Sequence, residues 1–597
     1  MAKDFTITLD RFRGLDLPEE DEKRPEDGFC PRMKNFRITP SGGMRLREGF
    51  RVLQRKTGKV RCLKCATLTA APVWIALIGQ TLYVSRDGFE TLTAAGTIPG
   101  EDRVSCLEFG EKLCFLTGDG FLTYDGEALA PVSPYRPLIR IASPPSGGGT
   151  VFEDVNLLTA EVRQTFSPDG HSQTFRLAER QVNSIDYVLW QGQPLTEDVH
   201  YEAHPENGTV LIYGAGGGEF PEEGVETVEI GYTLTEHASE GVEKCRFGVT
   251  YGGENDTRAF LYGNPAHPAV RYYSGIVAGL PSIAYFPASH YSMVGDGEKI
   301  TSIVRHYDRQ IIFTPHAAYF SYPQTATDQN GMEYTSFPVY TLSAMHGNIT
   351  EGLNLLLNNK PLSVMSAGLW LWTNTSIRDE RNSTCFSERI KPALAGEDLT
   401  RARFFYRSFT EEMYIILSRE VYVYHTRADA FYSYGGFLPT EMAEDEQNRC
   451  FFGTADGKIC LIGGTTDDGE GIEAEWESGA IFCADRTPTN NLHFVTAAVS
   501  EETAAPLALS WTSDKAASRP VTAPPPGTRK GRLCTFTEPD FGAFSFESVR
   551  REGGWRWRIG AKRFSHISLS LFHPKEEREG VCITHLILQG RINDKAI

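Results

Sequence analysis

The sequence predicts an all-β protein whose main body is a β-propeller of about seven blades, with a small β-sandwich inserted between blades and a β-domain at the C-terminal end. Apolar residues alternate with a period of two along most of the 597 residues, and helical periodicity is scarce. Gly-x and Asp-Gly pairs separate the apolar runs, as they do in β-hairpins. Units of an apolar strand, a tight turn, an aromatic-rich strand and a polar loop return roughly every 40–60 residues, close to the spacing of propeller blades. A series of unrelated β-sandwiches is the alternative that these patterns leave open.

Composition and charge narrow the class of protein. Hydrophobic residues make up 41% of the chain and aromatic residues 11%, which is a globular profile and excludes wholesale disorder. The 59 Lys and Arg residues against 77 Asp and Glu residues leave a net charge of −18, which disfavours a protein that grips nucleic acid through its phosphates. The 12 cysteines are too sparse for a disulfide framework. Apolar runs such as residues 73–78 are far shorter than the roughly 20 residues that cross a bilayer, so we expect a soluble protein made in a cytoplasm.

The first 50 residues are polar and rich in turns, and they predict an arm that cannot form a core alone. The first blades follow at residues 51–143, where an apolar run at 74–78, a Gly-Gln turn and a second run at 81–84 predict a hairpin. A propeller needs its first and last blades joined, because an open edge strand invites aggregation. The arm would either close the ring or reach a neighbouring subunit, and the sequence does not choose between these two.

Two breaks divide the rest of the chain. Residues 144–150, Pro-Pro-Ser-Gly-Gly-Gly-Thr, predict a flexible linker, and the strands that follow predict the inserted β-sandwich at residues 150–240. The remaining blades are expected at residues 241–466. An Asp- and Gly-rich break near 467–471 begins the C-terminal β-domain, residues 467–597, whose last strand is expected at 581–588.

Motifs of cofactor and metal sites have structural interpretations here. Residues 214–218, Gly-Ala-Gly-Gly-Gly, follow a strand as a dinucleotide-binding loop does, but acidic residues come next and no helix begins there to receive a phosphate. Cys62 and Cys65 are half of a zinc motif without a second pair, and in a strand their side chains point to opposite faces. We expect a loop at the first position and buried structural cysteines at the second.

Acidic motifs point to turns. Asp467, Asp468 and Glu470 are carboxylates in a Gly-rich loop, which calcium prefers, but their spacing is incomplete and a solvated turn is expected. Residues 85–88, Ser-Arg-Asp-Gly, are the nearest approach to the Ser-x-Asp-x-Gly-x-x-Trp box of sialidase-type propeller enzymes, and the Trp is missing. The sequence therefore predicts no catalytic, cofactor-binding or metal-binding residues, and a protein that is not an enzyme.

Three stretches resemble a family of tailed-bacteriophage structural proteins, the tail nozzle and neck-stabilising proteins. The first comprises residues 12–15 (Phe-Arg-Gly-Leu), 33–38 (Met-Lys-Asn-Phe-Arg-Ile) and 42–49 (Gly-Gly-Met-Arg-Leu-Arg-Glu-Gly); the second lies in the insertion at 188–195, 200–201, 207–210 and 230–232; the third and most specific is 256–265 with 273–275, 285–287, 294–296 and 300–301. The remaining blades and the C-terminal domain resemble the family only in their general pattern of strands and turns. We expect Arg258 and the Asn264-Pro265 turn to shape a blade loop rather than to bind a ligand.

The resemblance implies a virion component without catalytic residues, and some members of the family are β-propellers assembled as rings. The leading hypothesis is a structural subunit of a phage neck or tail, a nozzle or stabilisation ring that helps form the DNA conduit and the head–tail junction. Its partners would be copies of itself, with a hexamer as one arrangement, and neck or tail proteins such as the portal or an adaptor. DNA would pass through without specific contact, and neither a cofactor nor a membrane would take part. The protein would be located in the virion, and in the host cytoplasm during assembly.

Two other functions stay open at this point. A receptor- or glycan-binding tail protein would stack sugars on exposed aromatic residues, at 431–434 (Phe-Tyr-Ser-Tyr) or in the insertion. The other is a polysaccharide depolymerase, which would need a converging set of acidic residues that the sequence does not reveal.

Overall fold

The structure is a computed structural model that describes residues 3–17, 28–213, 221–236, 241–253, 256–327, 333–366, 368–373, 382–482, 490–499, 505–523 and 553–592. Within these ranges almost all regular structure is β, as predicted. The helical segments in the described part of the chain are one short α-helix, α1, at Lys391–Leu394 and two 3₁₀ turns at Pro205–Asn207 and Glu388–Ile390.

The N-terminal segment and the first two blades come first along the chain. The N-terminal strands are β1 Lys3–Leu9, β2 Gly14–Leu15, β3 Phe29–Cys30, β4 Arg32–Lys34, β5 Phe36–Ile38, β6 Met44–Leu46 and β7 Phe50–Arg55. The first blade is β8 Val60–Leu68, β9 Ala71–Ile78, β10 Thr81–Ser85 and β11 Thr93–Thr97. The second blade is β12 Ser105–Phe109, β13 Lys112–Leu116, β14 Phe121–Tyr124 and β15 Leu129–Pro131. The hairpin predicted at 74–84 is confirmed, with Ile78 opposite Thr81.

The inserted domain follows the second blade. Its strands are β16 Leu138–Ser143, β17 Thr150–Val151, β18 Glu161–Phe166, β19 Thr174–Arg176, β20 Val182–Trp190, β21 Gln193–Pro194, β22 Tyr201–His204, β23 Thr209–Ile212 and β24 Val228–Leu234. They form a six-stranded sheet, β17-β16-β18-β24-β20-β21, and a three-stranded sheet, β19-β23-β22, around a core of their own. This is the small inserted β-sandwich that the sequence predicts.

The segment expected to be a linker is a hairpin loop instead. Ile141 and Thr150 are directly opposite each other in β16 and β17, and Gly147 donates its N–H to the carbonyl of Pro144 inside the loop. The sheet of the insertion therefore begins at Leu138, ahead of the predicted boundary at 150. The Pro and Gly residues were a correct turn signal, but composition alone does not distinguish a turn from a spacer.

Five more blades complete the propeller. The third blade is β25 Phe247–Gly253, β26 Asp256–Tyr262, β27 Val270–Tyr273 and β30 Tyr291–Met293, with an extra hairpin of β28 Gly275–Val277 and β29 Leu280–Ser282. The fourth is β31 Ser302–His306, β32 Arg309–Phe313, β33 Ala318–Ser321 and β36 Val339–Ser343, with the hairpin β34 Gln324–Thr327 and β35 Glu333–Ser336. The fifth is β37 Leu356–Leu357, β38 Lys360–Met365, β39 Gly368–Trp372 and β40 Ser383–Cys385. The sixth is β41 Arg403–Arg407, β42 Glu412–Ile416, β43 Val421–His425 and β44 Ala430–Tyr434. The seventh begins with β45 Glu441–Glu444, β46 Cys450–Gly453 and β47 Lys458–Ile462.

The ring is closed by β7, which is the fourth strand of the seventh blade. It pairs antiparallel with β47, so that Phe50 is opposite Ile462 and Arg55 is opposite Lys458. The described part of the chain thus contains seven four-stranded blades. Contacts between first strands run around the axis from β45 to β8 and on through β12, β25 and β31, and from β41 back to β45. In the fifth blade the second strand, β38, makes the contact with β31. The question that the sequence left open is answered by the strand directly after the arm, which closes the ring within the same chain.

Alternating side chains hold neighbouring blades together. In β9, Ile75 and Leu77 pack into a cluster shared with the second blade, whereas Trp74, Ala76 and Ile78 pack into a cluster shared with the seventh. Successive side chains of a strand point to opposite faces, so one apolar strand serves two interfaces at once. This double burial explains why residues 73–78 are apolar at every position instead of alternating.

The C-terminal domain shares two β-sheets with strands of the N-terminal arm. Its strands are β48 Thr466–Asp467, β49 Glu470–Gly471, β50 Ala474–Glu477, β51 Ile481–Phe482, β52 Asn490–Val499, β53 Leu507–Ser513, β54 Val521–Ala523, β55 Gly553–Arg558, β56 Lys562–Phe564, β57 His566–His573 and β58 Cys582–Ile592. Strand β1 pairs with β58 along its whole length, from Lys3 opposite Ile592 to Leu9 opposite Leu586. Strand β4 lies between β44 of the sixth blade and β50, which joins blade and domain into one ten-stranded sheet.

Candidate functional site

The seam where the arm, the last two blades and the C-terminal domain meet is organised by Arg47. Its side chain is 1% exposed and donates to both carboxylate oxygens of Asp467, at 2.9 and 2.6 Å. It also donates to the Asn35 side-chain oxygen and to the Gly435 carbonyl, each at 2.8 Å. The guanidinium carbon lies 5.2 Å from the ring centre of Phe437. One side chain therefore ties the arm to the connection between blades six and seven and to the strand after the propeller, with the bidentate geometry that favours arginine.

A second polar layer lies beside it. Glu412 is 1% exposed and accepts a hydrogen bond from the Tyr432 hydroxyl at 2.6 Å. Glu48 forms an ion pair with Arg407, and Arg37 lies 3.9 Å from both carboxylates. Burial disfavours the charge of Glu48, but Arg407 and then Arg37 outweigh it and hold the pKa of Glu48 below its usual value. The arm thus joins the sixth blade through paired charges.

The motif residues of the arm are the residues that build this seam. Asn35 is buried, adopts a positive φ of 59° and donates its side-chain N–H to the Glu473 carbonyl at 2.6 Å. Gly49 has the backbone of Thr466 so close that a Cβ atom would overlap it, which excludes a side chain there. Phe12 packs edge-on against Trp476 with ring centres 5.3 Å apart.

A polar cavity near the propeller axis, called the axial cavity below, opens at the start of the first strands of the blades. It has a volume of about 380 Å³ and is lined by residues of six blades or the connections between them. Its charged residues are Lys64, Arg103, Glu351, Arg403 and Glu441, and its walls are completed by Phe247, Tyr262, Phe405 and Tyr406. A cavity of this size and mixture of charged and aromatic walls is of the kind that holds a small molecule.

The charges in this axial cavity are unevenly paired. Arg103 lies 2.7 Å from Glu441, and Arg403 lies 3.9 Å from the same carboxylate. The charge of Glu441 raises the pKa of Arg103. Burial and then repulsion from Arg103 lower the pKa of Arg403. Two guanidinium groups thus share one carboxylate.

Cys62 and Cys65, considered as half of a zinc motif, are packing residues of β8. Cys62 packs into the cluster between blades one and two, whereas Cys65 packs against the cluster between blades seven and one, so the two thiols lie on opposite faces of β8 as predicted. Burial raises the pKa of the Cys65 thiol to about 12, which keeps it protonated. Cys62 and Cys65 are both free thiols. Residues 214–218 lie outside the described residues.

The acidic residues considered for calcium are engaged in ion pairs instead. Asp467 binds Arg47, Asp468 lies 2.8 Å from Arg55, and Glu470 lies 3.3 Å from Lys575. The expected solvated turn is therefore wrong for Asp467, whose side chain is 16% exposed, because the arm folds back over it. No group of three or more metal-ligating side chains occurs among the described residues.

Two further motifs prove to be structural. In the Ser-Arg-Asp-Gly turn, Asp87 accepts the Ser85 hydroxyl at 2.7 Å and the Thr91 N–H at 3.0 Å, and these bonds, the Thr91 N–H first, lower the pKa of Asp87 to about 2. In the third blade, Arg258 donates to the Ser274 carbonyl at 2.7 Å and Asn264 to the Gly241 carbonyl at 2.8 Å, and both are buried. The expectation that these two shape the blade is confirmed.

The aromatic residues considered for sugar binding are not exposed. Phe431, Tyr432 and Tyr434 are between 0% and 3% exposed in β44. The hypothesis that they stack on sugars is wrong, because β2 and β4 of the arm cover this outer strand. Among the described residues, no helix is long and apolar enough to cross a membrane.

Sequence reasoning missed the axial cavity and the role of Arg47. Arg103 precedes the second blade, Arg403 lies in the sixth and Glu441 in the seventh, and none stands in a recognisable motif. Arg47 stands in the arm motif, but its partner Asp467 follows 420 residues later. The available signal was the motif itself, which marked the arm as structurally special without identifying a partner.

Several solved structures are similar to most of this chain. One, titled "YCF48 bound to D1 peptide", is 8% identical, with 72% of this chain and 97% of that chain covered and a TM-score of 0.32. One from a structure titled "Crystal Structure of Mitotic Checkpoint Complex" is 8% identical, with 75% and 96% covered and a TM-score of 0.30. The "AfRom2 CNH domain" is 9% identical, with 69% and 98% covered and a TM-score of 0.34. Likenesses this distant carry nothing about function. No protein-family model matches the sequence, and no curated protein is significantly similar to it.

Proposed function

We propose that this chain is a non-enzymatic structural subunit of a tailed-phage neck or tail, part of a nozzle or stabilisation ring that helps form the DNA conduit and the head–tail junction. One observation carries the proposal: the arm residues that resemble this phage family, among them Asn35, Arg47 and Gly49, are those that lock the propeller closed. The resembling segment thus has a defined mechanical task in the fold.

The geometry suits a part that bears load. The closing strand β7 lies between β47 and β48, so neither end of the propeller sequence forms a free edge at the seam. Strand β1 adds the N-terminal end to the sheet that holds β58, near the C-terminal end. Lys3 in β1 lies opposite Ile592 in β58, so the two ends of the described chain are hydrogen-bonded within one sheet. A closed ring of blades also leaves only short outer edges open to aggregation.

In the proposed ring, copies of this chain surround the DNA path and contact the portal, an adaptor or other neck or tail proteins. Each copy carries a net charge of −18. Carboxylates that face the lumen would repel the DNA backbone and let it pass without specific contact, over the screening distance of about 8 Å at physiological salt. The protein would reside in the virion, and in the host cytoplasm during assembly.

Particle composition tests this proposal. Mass spectrometry of purified phage particles from the genome that encodes this chain should find it in a fixed ratio to the portal protein. Deleting its gene should yield heads that lose their DNA or lack tails in electron micrographs. The absence of the chain from particles, or full infectivity without it, would contradict the proposal.

A stack of three aromatic rings favours glycan binding as the second candidate function. In the fourth blade, Phe320, Tyr322 and Tyr340 are stacked, with ring centres 5.3–6.3 Å apart, and Arg309 lies over two of them. Tyr340 is 38% exposed. Sugars stack on aromatic faces of this kind. A glycan array on which wild type binds and Tyr340→Ala does not would favour this function, whereas an array without any bound glycan would remove it.

A further inference from the structure

The axial cavity contains more positive than negative charge. Lys64 is neutralised by Glu108 at 2.6 Å, and Glu351 by Lys299 at 2.6 Å. The remaining charged groups of the lining are Arg103, Arg403 and Glu441. Two cations therefore face one anion, and one positive charge in the described lining is left uncompensated.

Arg403 is the loosely held member of this triad. Its closest carboxylate is Glu441 at 3.9 Å, and its Nη1 donates weakly to the carbonyls of Arg401 and Ala402 at 3.3 and 3.5 Å. Its side chain is only 29% exposed, so water compensates the charge only in part. A guanidinium carries five donors in a fork that fits an oxyanion, and most of those of Arg403 are available to a ligand.

The rest of the wall suits an apolar body attached to the anion. Phe247, Tyr262 and Phe405 line the same cavity, together with aliphatic residues such as Leu353 and Met442. The volume of about 380 Å³ falls within the range of small-molecule sites. Apolar side chains beside a partly buried cation strengthen its attraction for an anion, because less water screens it than at the open surface.

We propose that the axial cavity is a binding site for a small organic anion, an aromatic carboxylate or phosphate whose oxyanion is held by Arg403 and Arg103. Glu441 holds Arg103 in place and competes with the ligand for both guanidinium groups. The site is independent of the proposed virion role, since the seam and the axial cavity are formed by different residues.

The test uses fluorine NMR of the full chain with 4-fluorobenzoate, 4-fluorophenyl phosphate and the neutral 4-fluorobenzamide. The two anions should show broadened, saturable signals, and the amide should bind at least about tenfold more weakly, as expected when a charged hydrogen bond is lost. Whichever anion binds more tightly identifies the oxyanion that the site prefers.

Matched variants locate the site. Arg403→Gln should weaken binding of both anions at least about tenfold. Arg401→Gln, whose native side chain is 88% exposed two residues away, should leave it unchanged. Glu441→Gln should tighten binding, because it removes the competing carboxylate. Each variant is first shown to be folded by its circular dichroism and thermal melt.

Three results would overturn the proposal. They are equal binding of the amide and the benzoate, equal losses in Arg403→Gln and Arg401→Gln, and no binding of either anion to a folded wild-type chain. Unfolding can only weaken anion binding, so tighter binding in Glu441→Gln cannot come from unfolding. That variant therefore keeps the test decisive if Arg403→Gln folds poorly.

Discussion

At the scale of single residues, Arg47 shows how one side chain stabilises contacts distant in sequence. It donates to Asn35 in the arm, to the Gly435 carbonyl between blades, and to both oxygens of Asp467. The sequence marked residues 42–49 as a motif, but a motif in one segment does not identify the partner that satisfies it. The buried charge is tolerated because both members of the pair are bonded on several sides.

Replacing Arg47 with Lys should destabilise the protein by about 2–4 kcal/mol, because an ammonium group cannot make the bidentate bond and leaves buried acceptors unpaired. Urea unfolding followed by circular dichroism measures the free energy of unfolding. Arg51→Lys is the control: its native pair with Glu90 is 60% and 53% exposed, so its loss should be less than about 1 kcal/mol. Equal effects of the two substitutions would show that Arg47 does not hold the seam.

At the scale of elements, the decisive strand is β7. Its apolar pattern predicts a strand, but nothing in it predicts a partner more than 400 positions away. The backbone groups of a strand can form hydrogen bonds with any other strand, so they do not identify the partner. Ring closure selects β47, since the seventh blade lacks a fourth strand until β7 is added. The predicted linker at 144–150 was misread for a similar reason, since a turn and a spacer have the same composition.

A single new cysteine tests the position of β7. Val52 lies opposite Cys460 in the pair of β7 and β47, and both pack into the same core cluster. Directly opposed strand residues have Cβ atoms about 4.5–5.5 Å apart, which a disulfide spans with a small backbone shift. Val52→Cys should therefore form a disulfide with Cys460 on mild oxidation, detected as a cross-linked peptide that reduction releases. Arg51→Cys, which is opposite Leu461, is the matched control; cross-linking to Cys460 from that position instead would show a different register.

At the scale of the whole molecule, stability comes from side chains packed between blades and from charges paired across them. The outer strands β11, β15, β30, β36 and β40 pair on one side only within the described residues, whereas the arm and β48 cover the outer strands of blades six and seven. The free edges are three to five residues long, which limits unwanted pairing with other chains.

The whole molecule should lose stability in acid. The pKa of Glu48 is lower in the folded state than its ordinary value of 4.5, so its contribution is fully present above that pH and is lost as the pH falls through the folded value. Burial lowers the pKa of His306 and His425 below 6.5 in the folded state. On acidification protons therefore bind these residues in the unfolded chain first, which also lowers the free energy of unfolding. Urea unfolding should show a falling free energy from pH 6.5 to pH 4. Glu48→Gln should be less stable at pH 7 and decline less on acidification, and a wild-type stability that rose towards pH 4 would contradict this explanation.

Local pattern determined the fold class, the hairpins and the number of blades, because alternation and turn residues act over a few positions and each blade repeats them. The positions of Cys62, which is buried, and Cys65, which is partly buried, on opposite faces of β8 follow from the same rule. Only the tertiary structure decided that β7 closes the ring, that Arg47 meets Asp467, and that Arg103 and Arg403 converge on Glu441. These contacts join residues that are hundreds of positions apart, and the curvature of a closed ring of sheets, which no local pattern encodes, brings them together.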